Sequence, residues 1–212
     1  MDRKNINKLF EILEHDYDAT IDTELWFDSK YQLLVAIMLS AQSTDKQVNK
    51  ITKELFRQLK KPQDAVRLGF DGVNKLIASV NYHNSKARHI VEMSETLIGE
   101  FGGEVPGTMD ELLRLSGVGR KTANLVLSIA YKQDAIAVDT HVFRVANRLG
   151  LTRAKNPVES EMQLKSAIPA GKQRLVNTLL IQHGRAVCNA RNPKCEVCKF
   201  KGFCEFYKNK KG

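Results

Sequence analysis

A short glycine-containing turn between two helical patterns most strongly constrains the fold of this chain. The stretch Leu115–Asn124 reads LSGVGRKTAN. Before it, Thr108 and Glu111 form a T-x-x-E capping box, which is typical of a helix start. After it, apolar residues recur at helical spacing. Two helices joined by so few residues must pack as a hairpin, so the sequence predicts a helical hairpin over residues 108–131.

The remaining apolar residues also favour helices. They recur at helical spacing along most of the chain, and no segment shows sustained apolar–polar alternation. With 212 residues, of which 42% are apolar, the chain is long enough to bury a substantial core. The predicted connections span two to eight residues, as in packed helices. The sequence therefore predicts an all-α fold.

The charge balance points to a polyanionic partner. Thirty-three basic residues against 24 acidic ones give a formal charge of +9, with a pI near 9.4. Nucleic acid is the natural partner class, and an ordinary solvated surface is the alternative. The N-terminus is polar, and the longest apolar run, residues 33–39, is too short to span a bilayer. We expect a cytoplasmic or nucleoid-associated monomer with no membrane partner.

Four cysteines close to the C-terminus predict a metal site. Their spacing is Cys188-x6-Cys195-x2-Cys198-x5-Cys204, and no other cysteine occurs in the chain. Four thiolates within 17 residues can close around one centre, and a reducing compartment disfavours disulfides. Both zinc and a [4Fe–4S] cluster accept four cysteines, so spacing alone leaves these two open.

The hairpin turn carries a candidate phosphate site and a candidate nucleophile. Gly117 and Gly119 leave backbone amides uncovered at a helix N-terminus, where anions bind well. Lys121 follows on the first turn of the second helix, next to Arg120. A neutral lysine amine could attack a sugar carbon and form a Schiff base. The alternatives are a plain hairpin turn without a ligand and a lysine that only contacts phosphate.

Asp139 is the candidate carboxylate partner of this chemistry. It lies 18 residues after Lys121, behind an apolar link and before Thr140. Its simple role is to cap the next helix, and its functional role is to accept a proton and stabilise cationic sugar character. These roles are compatible because a capping residue has a fixed position.

Other residues could contact nucleic acid through loops. Gln42 and Tyr82 fall in short loops between helices, where a side chain can fill the space of an extruded base. Arg191 and Lys194 lie in the cysteine region, where a metal-bound loop could present them to phosphate. The alternative is that all four are ordinary surface residues.

The motifs together resemble the endonuclease III family of helix-hairpin-helix DNA glycosylases. The resemblance covers about residues 5–206, with the motifs in the family's order. It rests on four segments, namely LSAQSTD at 39–45, LSGVGRKTA at 115–123, VDTHVFR at 138–144 and the cysteines at 188–204.

The resemblance implies a two-lobed fold with DNA across the cleft. One lobe would be a six-helix domain over residues 22–132 that contains the hairpin. The other would join residues 1–21 to 133–212 and carry the loop 188–204. The resemblance also implies that the four cysteines hold a [4Fe–4S] cluster rather than zinc.

For activity, the resemblance implies a bifunctional DNA glycosylase and abasic-site lyase. Lys121, assisted by Asp139, would remove oxidised pyrimidines from double-stranded DNA and cleave 3′ to the abasic site by β-elimination. Two residues depart from the family pattern. Ser116 stands where the family usually has proline, and Tyr82 stands where it commonly has a bulky apolar residue.

Two rival functions remain at this point. A monofunctional adenine glycosylase of the same superfamily is disfavoured, because such enzymes lack a lysine at position 121. A non-catalytic helix-hairpin-helix module would bind DNA without turnover, and replacing Lys121 would then change affinity alone.

Overall fold

The computed structural model describes residues 1–211, and this part of the chain is helical without a β-strand. The all-α prediction is therefore confirmed. A single 3₁₀ turn, Cys195–Val197, interrupts the loop before the last helix. The α-helices in chain order are α1 Arg3–Asp16, α2 Lys30–Ser40, α3 Asp45–Gln58, α4 Pro62–Leu76, α5 His83–Phe101, α6 Met109–Leu112, α7 Arg120–Ala130, α8 Thr140–Leu149, α9 Pro157–Ala167, α10 Gln173–Ala186 and α11 Glu205–Lys211.

Local signals in the sequence set most helix starts. Ser29, Thr44 and Asn156 each accept a hydrogen bond from the backbone N–H three residues later, which caps α2, α3 and α9. Inside α4, Gly69 has a left-handed φ of 63° and interrupts the helix. The sequence predicts a short helix that begins at Pro62 and ends at Gly69, and the structure has the interruption at this glycine.

The chain forms two compact units. One is the continuous segment Glu24–Tyr131. The other combines Met1–Thr23 with Lys132–Gly212, of which Gly212 lies outside the described residues. The helical hairpin belongs to the first unit, and the four cysteines belong to the second.

Helix α2 forms the centre of the unit 24–131. Residues 31–39 of this helix are all buried, as their nearly continuous apolar run predicts. It packs against α3, α5 and α7, while α4 packs along α5. The Tyr31 hydroxyl, 2.8 Å from Ser94 Oγ, ties α2 to α5 inside this core.

The second unit has a separate core around α8 and α10. The apolar face of α1, formed by Ile6, Leu9, Phe10 and Leu13, packs into it. Phe200 and Cys204 of the cysteine region are buried in the same core. The apolar link at residues 135–138 is also buried and leads directly into α8.

Two elements differ from the sequence expectation. The sequence predicts a first hairpin helix over about residues 108–115, but this helix ends at Leu112 and residues 113–118 continue in tight turns. The sequence also predicts a basic tail at residues 208–211, but this segment belongs to α11. Within residues 1–211, no helix is long and apolar enough to cross a membrane.

Candidate nucleic-acid interface and catalytic residues

The two glycines of the hairpin turn have different surroundings, since Gly117 is closely packed and Gly119 has no neighbour on its Cβ side. Gly117 has a φ of +75°, and a Cβ placed on it would lie 2.8 Å from His89 Cβ. Gly119 caps α7 in an extended conformation, and a Cβ placed there would meet no atom within 4 Å. The close packing at Gly117 fixes the turn, whereas the open side of Gly119 leaves its backbone accessible to a phosphate.

Ser116 fastens this turn to α5. Its hydroxyl donates a 2.6 Å hydrogen bond to Glu92 Oε2 and lies 2.9 Å from His89 Nδ1. Both partners belong to α5, and both side chains remain partly exposed. The residue that departs from the family's proline therefore has a defined role, since it links the turn to a long helix.

Lys121 lies on the first turn of α7 and is exposed. The first-turn amides of a helix have no intrahelical acceptor, so they are available to an anion together with the helix dipole. The following residues Ala123, Val126 and Leu127 are buried and hold α7 in the core. The helix thus presents the lysine from a rigid support.

The loops that carry Gln42 and Tyr82 are joined by a side chain. Asn81 Nδ2 donates a 2.9 Å hydrogen bond to the Gln42 carbonyl. Gln42 and Tyr82 both have a φ of 58°, which is uncommon for residues other than glycine. Gln42 is exposed, and Tyr82 is 65% exposed. The structure therefore brings these two predicted contact residues together.

Asp139 is the N-cap of α8. Its Oδ1 accepts a 2.8 Å hydrogen bond from the Val142 backbone N–H. The side chain is half-buried, and one capping bond leaves the carboxylate with free acceptor capacity. The capping role is thus observed, and the carboxylate has a fixed orientation.

The four cysteines line one pocket in the unit that contains the chain ends. Its other walls are largely apolar, with Leu149, Val187 and Phe206 among them. All four are free thiols, and burial raises the pKa of Cys198 and Cys204. Arg148 Nη1 lies 3.6 Å from the sulfur of Cys188 and can donate a hydrogen bond to it.

This donor set fits an iron–sulfur cluster. A single zinc ion needs four sulfur atoms about 2.3 Å from one point. A four-iron cluster instead takes one thiolate at each iron of a cube, so its ligands lie farther apart around a larger centre. Four cysteines around one largely apolar pocket, with an arginine beside one sulfur, can supply the four thiolates that a cluster needs.

Comparison with known proteins identifies the family. Residues 35–170 match the HhH-GPD superfamily of base excision DNA repair proteins. Endonuclease III of Rickettsia felis is 42% identical over 98% of this chain and 97% of its own length. Endonuclease III of Haemophilus influenzae is 43% identical over 96% of this chain and 95% of its own. The chain belongs to the endonuclease III family. It is a base excision DNA repair enzyme.

Solved structures agree with this assignment to the endonuclease III family. A trapped endonuclease III–DNA covalent intermediate superposes with a TM-score of 0.88 at 37% identity, covering 99% of this chain and 97% of that one. A thermostable thymine-DNA glycosylase gives a TM-score of 0.87 at 25% identity, covering 97% and 98%. The predicted helix-hairpin-helix DNA glycosylase fold is therefore confirmed.

The sequence analysis missed two arginines that hold the cysteine loop of this endonuclease III-family enzyme. Arg148 donates to the carbonyls of Asn189 at 2.7 Å and Ala190 at 2.8 Å. Arg144, one turn earlier on α8, donates to the Cys188 carbonyl at 3.1 Å. The available signal was their i, i+4 spacing on α8, the helix that Asp139 caps.

The basic residues near the cysteines separate into two groups. Lys199 forms an ion pair with Asp16 at 2.5 Å, and Lys201 donates to the Glu196 carbonyl. These two lysines have partners within the protein. Arg191 and Lys194 are exposed on the same loop.

Asn124 is a further residue that the sequence analysis did not single out. It lies on α7, three residues after Lys121, and its side chain is 1% exposed. Neither polar atom of its amide has a hydrogen-bond partner within residues 1–211. Because buried amides are nearly always satisfied, this position suits an ordered water molecule.

Proposed function

We propose that this endonuclease III-family enzyme uses Lys121 as the nucleophile that excises oxidised pyrimidines and then opens the abasic site. The observation that carries the assignment is the position of Lys121. It is exposed on the first turn of α7, two residues after the glycine whose backbone faces open space. A phosphate held at this helix N-terminus would present the adjoining sugar to the amine.

The chemistry follows from a neutral lysine amine. Its nitrogen attacks C1′ of the damaged nucleotide, and the bond from C1′ to the base breaks. Asp139 takes the proton that the attacking amine releases, and the base leaves with the electron pair of its bond to C1′ and is protonated by solvent. Transfer of the proton from Asp139 to O4′ then breaks the C1′–O4′ bond and leaves a protonated imine between Lys121 and C1′. Loss of a proton from C2′ then expels the 3′ phosphate, which is the β-elimination that cleaves the strand.

Separate groups of residues would hold the DNA. The amides at Gly117 and Gly119, with Arg120 beside them, bind the backbone near the lesion. Arg191 and Lys194 bind phosphate from the cysteine loop.

The remaining two contact residues act on the bases. Gln42 and Tyr82 enter the duplex and fill the space of the extruded base. The support for this role is their exposure and the hydrogen bond through which Asn81 joins their loops.

We assign a [4Fe–4S] cluster to Cys188, Cys195, Cys198 and Cys204. When bound, the cluster supplies a rigid covalent anchor for the loop 188–204. Arg144 and Arg148 hold the backbone of the same loop from α8. The loop then presents Arg191 and Lys194 from a fixed position, and base excision itself uses protein side chains alone.

The proposed partner is double-stranded DNA with an oxidised pyrimidine or an abasic site, bound by a monomer. The net charge of +9 supports a polyanion as partner. We place the enzyme at the nucleoid, where this substrate is found.

Borohydride trapping tests the mechanism. Reduction of the imine during reaction with thymine glycol or abasic-site DNA should join enzyme and DNA covalently. Lys121→Gln should abolish the trapped species and lower the excision rate by at least about a hundredfold. Lys50→Gln, a change at another exposed lysine, should trap like the wild type.

Two outcomes would contradict this proposal. One is a wild-type enzyme that binds the DNA without forming a trapped species, as expected of a non-catalytic module. The other is a Lys121→Gln variant that retains trapping.

A further inference from the structure

Helix α5 supports three segments to which we assign contact with DNA. Tyr82 immediately precedes the helix, Lys86 lies on its first turn, and His89 follows at the next turn. The spacing of four and three residues places these positions on one face of α5. Along this face the helix meets the Tyr82 loop, the end of α2 and the hairpin turn at Ser116.

Lys86 is a buried lysine whose ammonium binds the backbone at the end of α2. Its side chain is 8% exposed, and the ammonium donates to the carbonyls of Leu39 at 2.8 Å and Ala41 at 2.7 Å. Within residues 1–211, no carboxylate pairs with it, and burial lowers the pKa of this ammonium. The charge of the ammonium is therefore compensated by these carbonyls at the end of α2 and by the negative end of the α2 dipole.

The residue directly after this anchor is Gln42. Its backbone has a left-handed φ of 58°, a conformation that is strained for a residue other than glycine. Such a conformation persists only when neighbouring contacts impose it. Lys86 holds the preceding carbonyl, and Asn81 holds the carbonyl of Gln42 itself.

We propose that Lys86 is a positioning residue for base extrusion, which sets Gln42 at a fixed distance from Tyr82. Tyr82 immediately precedes α5, and Lys86 of α5 holds the carbonyl before Gln42. The same helix therefore supports both Gln42 and Tyr82. The ammonium acts through the carbonyls of Leu39 and Ala41 and does not touch DNA. The inference rests on the proposed insertion of Gln42 and Tyr82 into the duplex.

This role predicts an unequal loss of two activities. Excision of a stacked, damaged base requires extrusion, and extrusion depends on the two inserted side chains. An abasic site has no base to extrude, so cleavage there depends less on them. A helix cap with a purely structural role would change both activities together through the amount of folded enzyme.

The main variant is Lys86→Met, which keeps the length of the side chain and removes the ammonium. Lys86→Arg restores a positive donor and should recover part of the loss. Asn81→Ala removes the second hydrogen bond at an exposed position, so it tests the same idea if Lys86→Met fails to fold. Lys53→Met, at an exposed lysine of α3, is the matched control.

Single-turnover rates would be measured on thymine glycol DNA and on abasic-site DNA. We expect Lys86→Met to lower the excision rate about tenfold or more, since small misplacements in such sites are costly. Cleavage of the abasic site should fall by less than about threefold. A 2-aminopurine base opposite the lesion should show a smaller fluorescence rise with Lys86→Met and Asn81→Ala than with the wild type.

Equal losses of the two rates, or an unchanged 2-aminopurine signal in both variants, would overturn the role of Lys86. Trapping of the wild-type enzyme by borohydride keeps this outcome distinct from a failure of the proposed function. A wild type that traps normally beside variants with an unchanged ratio would reject the positioning role alone.

Discussion

At the scale of single residues, Ser116 and Gly117 show how the hairpin turn is held. Ser116 bonds to Glu92 and contacts His89, while Gly117 packs directly against the His89 side chain. The turn is therefore fixed by contacts with α5 and not by the ring of a proline. Its rigidity depends on a hydrogen bond that can be removed by mutation.

Removal of the Ser116 hydroxyl should loosen the turn. We expect Ser116→Ala to lower the free energy of unfolding by about 1 kcal/mol or less, because the bond is partly exposed. Affinity for DNA that carries an uncleavable abasic-site analogue should fall severalfold, as measured by fluorescence anisotropy. Ser116→Pro restricts the backbone instead and should bind more tightly than Ser116→Ala. Equal affinity of all three proteins would contradict this account.

The two glycines of the turn should respond differently to alanine. Gly117→Ala combines a positive φ with a Cβ only 2.8 Å from His89, so we expect it to destabilise the fold by about 1–3 kcal/mol. Gly119→Ala meets no neighbour and should leave the melting temperature nearly unchanged. It should nevertheless weaken DNA binding if its backbone receives a phosphate. Urea denaturation and a binding titration separate the two effects.

The candidate functional residues of this turn could be predicted from the sequence, but the contacts that hold the turn in place could not. The glycines and Lys121 are recognisable from local spacing. The partners of Ser116 are not, because His89 and Glu92 lie 27 and 24 residues away along the chain. The same limit applies to Lys86, because a lysine is expected at the surface and its burial could not be predicted from the sequence.

At the scale of elements, α8 connects the candidate carboxylate to the cysteine loop. Asp139 caps its first turn, and Arg144 and Arg148 hold the backbone after Cys188. The guanidinium of Arg148 also lies 4.6 Å from the centre of the Phe206 ring. The same helix therefore carries Asp139 at its start and, farther along, the two arginines that hold the cysteine loop.

Replacing Arg148 should release the cysteine loop. Arg148→Met loses the hydrogen bonds to Asn189 and Ala190 and leaves their carbonyls without this donor. We expect lower iron content per chain and a weaker visible charge-transfer band, with a lower melting temperature. Arg153→Met, at an arginine in a surface ion pair with Glu205, is the control and should retain its iron. Iron retention by both variants would argue against this role of α8.

Element boundaries were predictable where a cap or a glycine marks them. Asp139 caps α8 as its position in the sequence predicts, and the interruption of α4 lies at Gly69. Two elements were not predictable in this way. The hairpin's first helix stops early because residues 113–118 form tight turns, and α11 forms where Phe206 and Tyr207 pack against the second core.

At the scale of the whole molecule, the net charge of +9 should dominate the salt dependence of DNA binding. The dissociation constant for duplex DNA should rise steeply with ionic strength, because each phosphate contact releases counterions. Replacing Arg191 and Lys194 by alanine together should reduce the slope of log K against log salt by about 1–2. Lys199→Ala should change this slope less, since that lysine is paired with Asp16. An unchanged slope in the double variant would remove the cysteine loop from the interface.

The fold class and the family followed from the sequence because helical spacing and four motifs agreed over nearly the whole chain. The choice between zinc and a cluster did not follow from spacing, since both centres accept four cysteines. The preference for a cluster comes from the resemblance to the endonuclease III family, and the shared pocket and the arginine beside Cys188 support it as a proposal. Such features depend on residues that are distant in sequence.

The discontinuous unit imposes an order on biosynthesis. The segment Glu24–Tyr131 is continuous, so it can fold on the ribosome as soon as it has emerged. The apolar face of α1 packs instead with α10, whose residues are made about 170 positions later. At a synthesis rate of about 5–20 residues per second, α10 is made roughly 10–30 s after α1. The cysteines come later still, so α1 reaches its final environment only after the whole segment Glu24–Tyr131 and α10 have been synthesised.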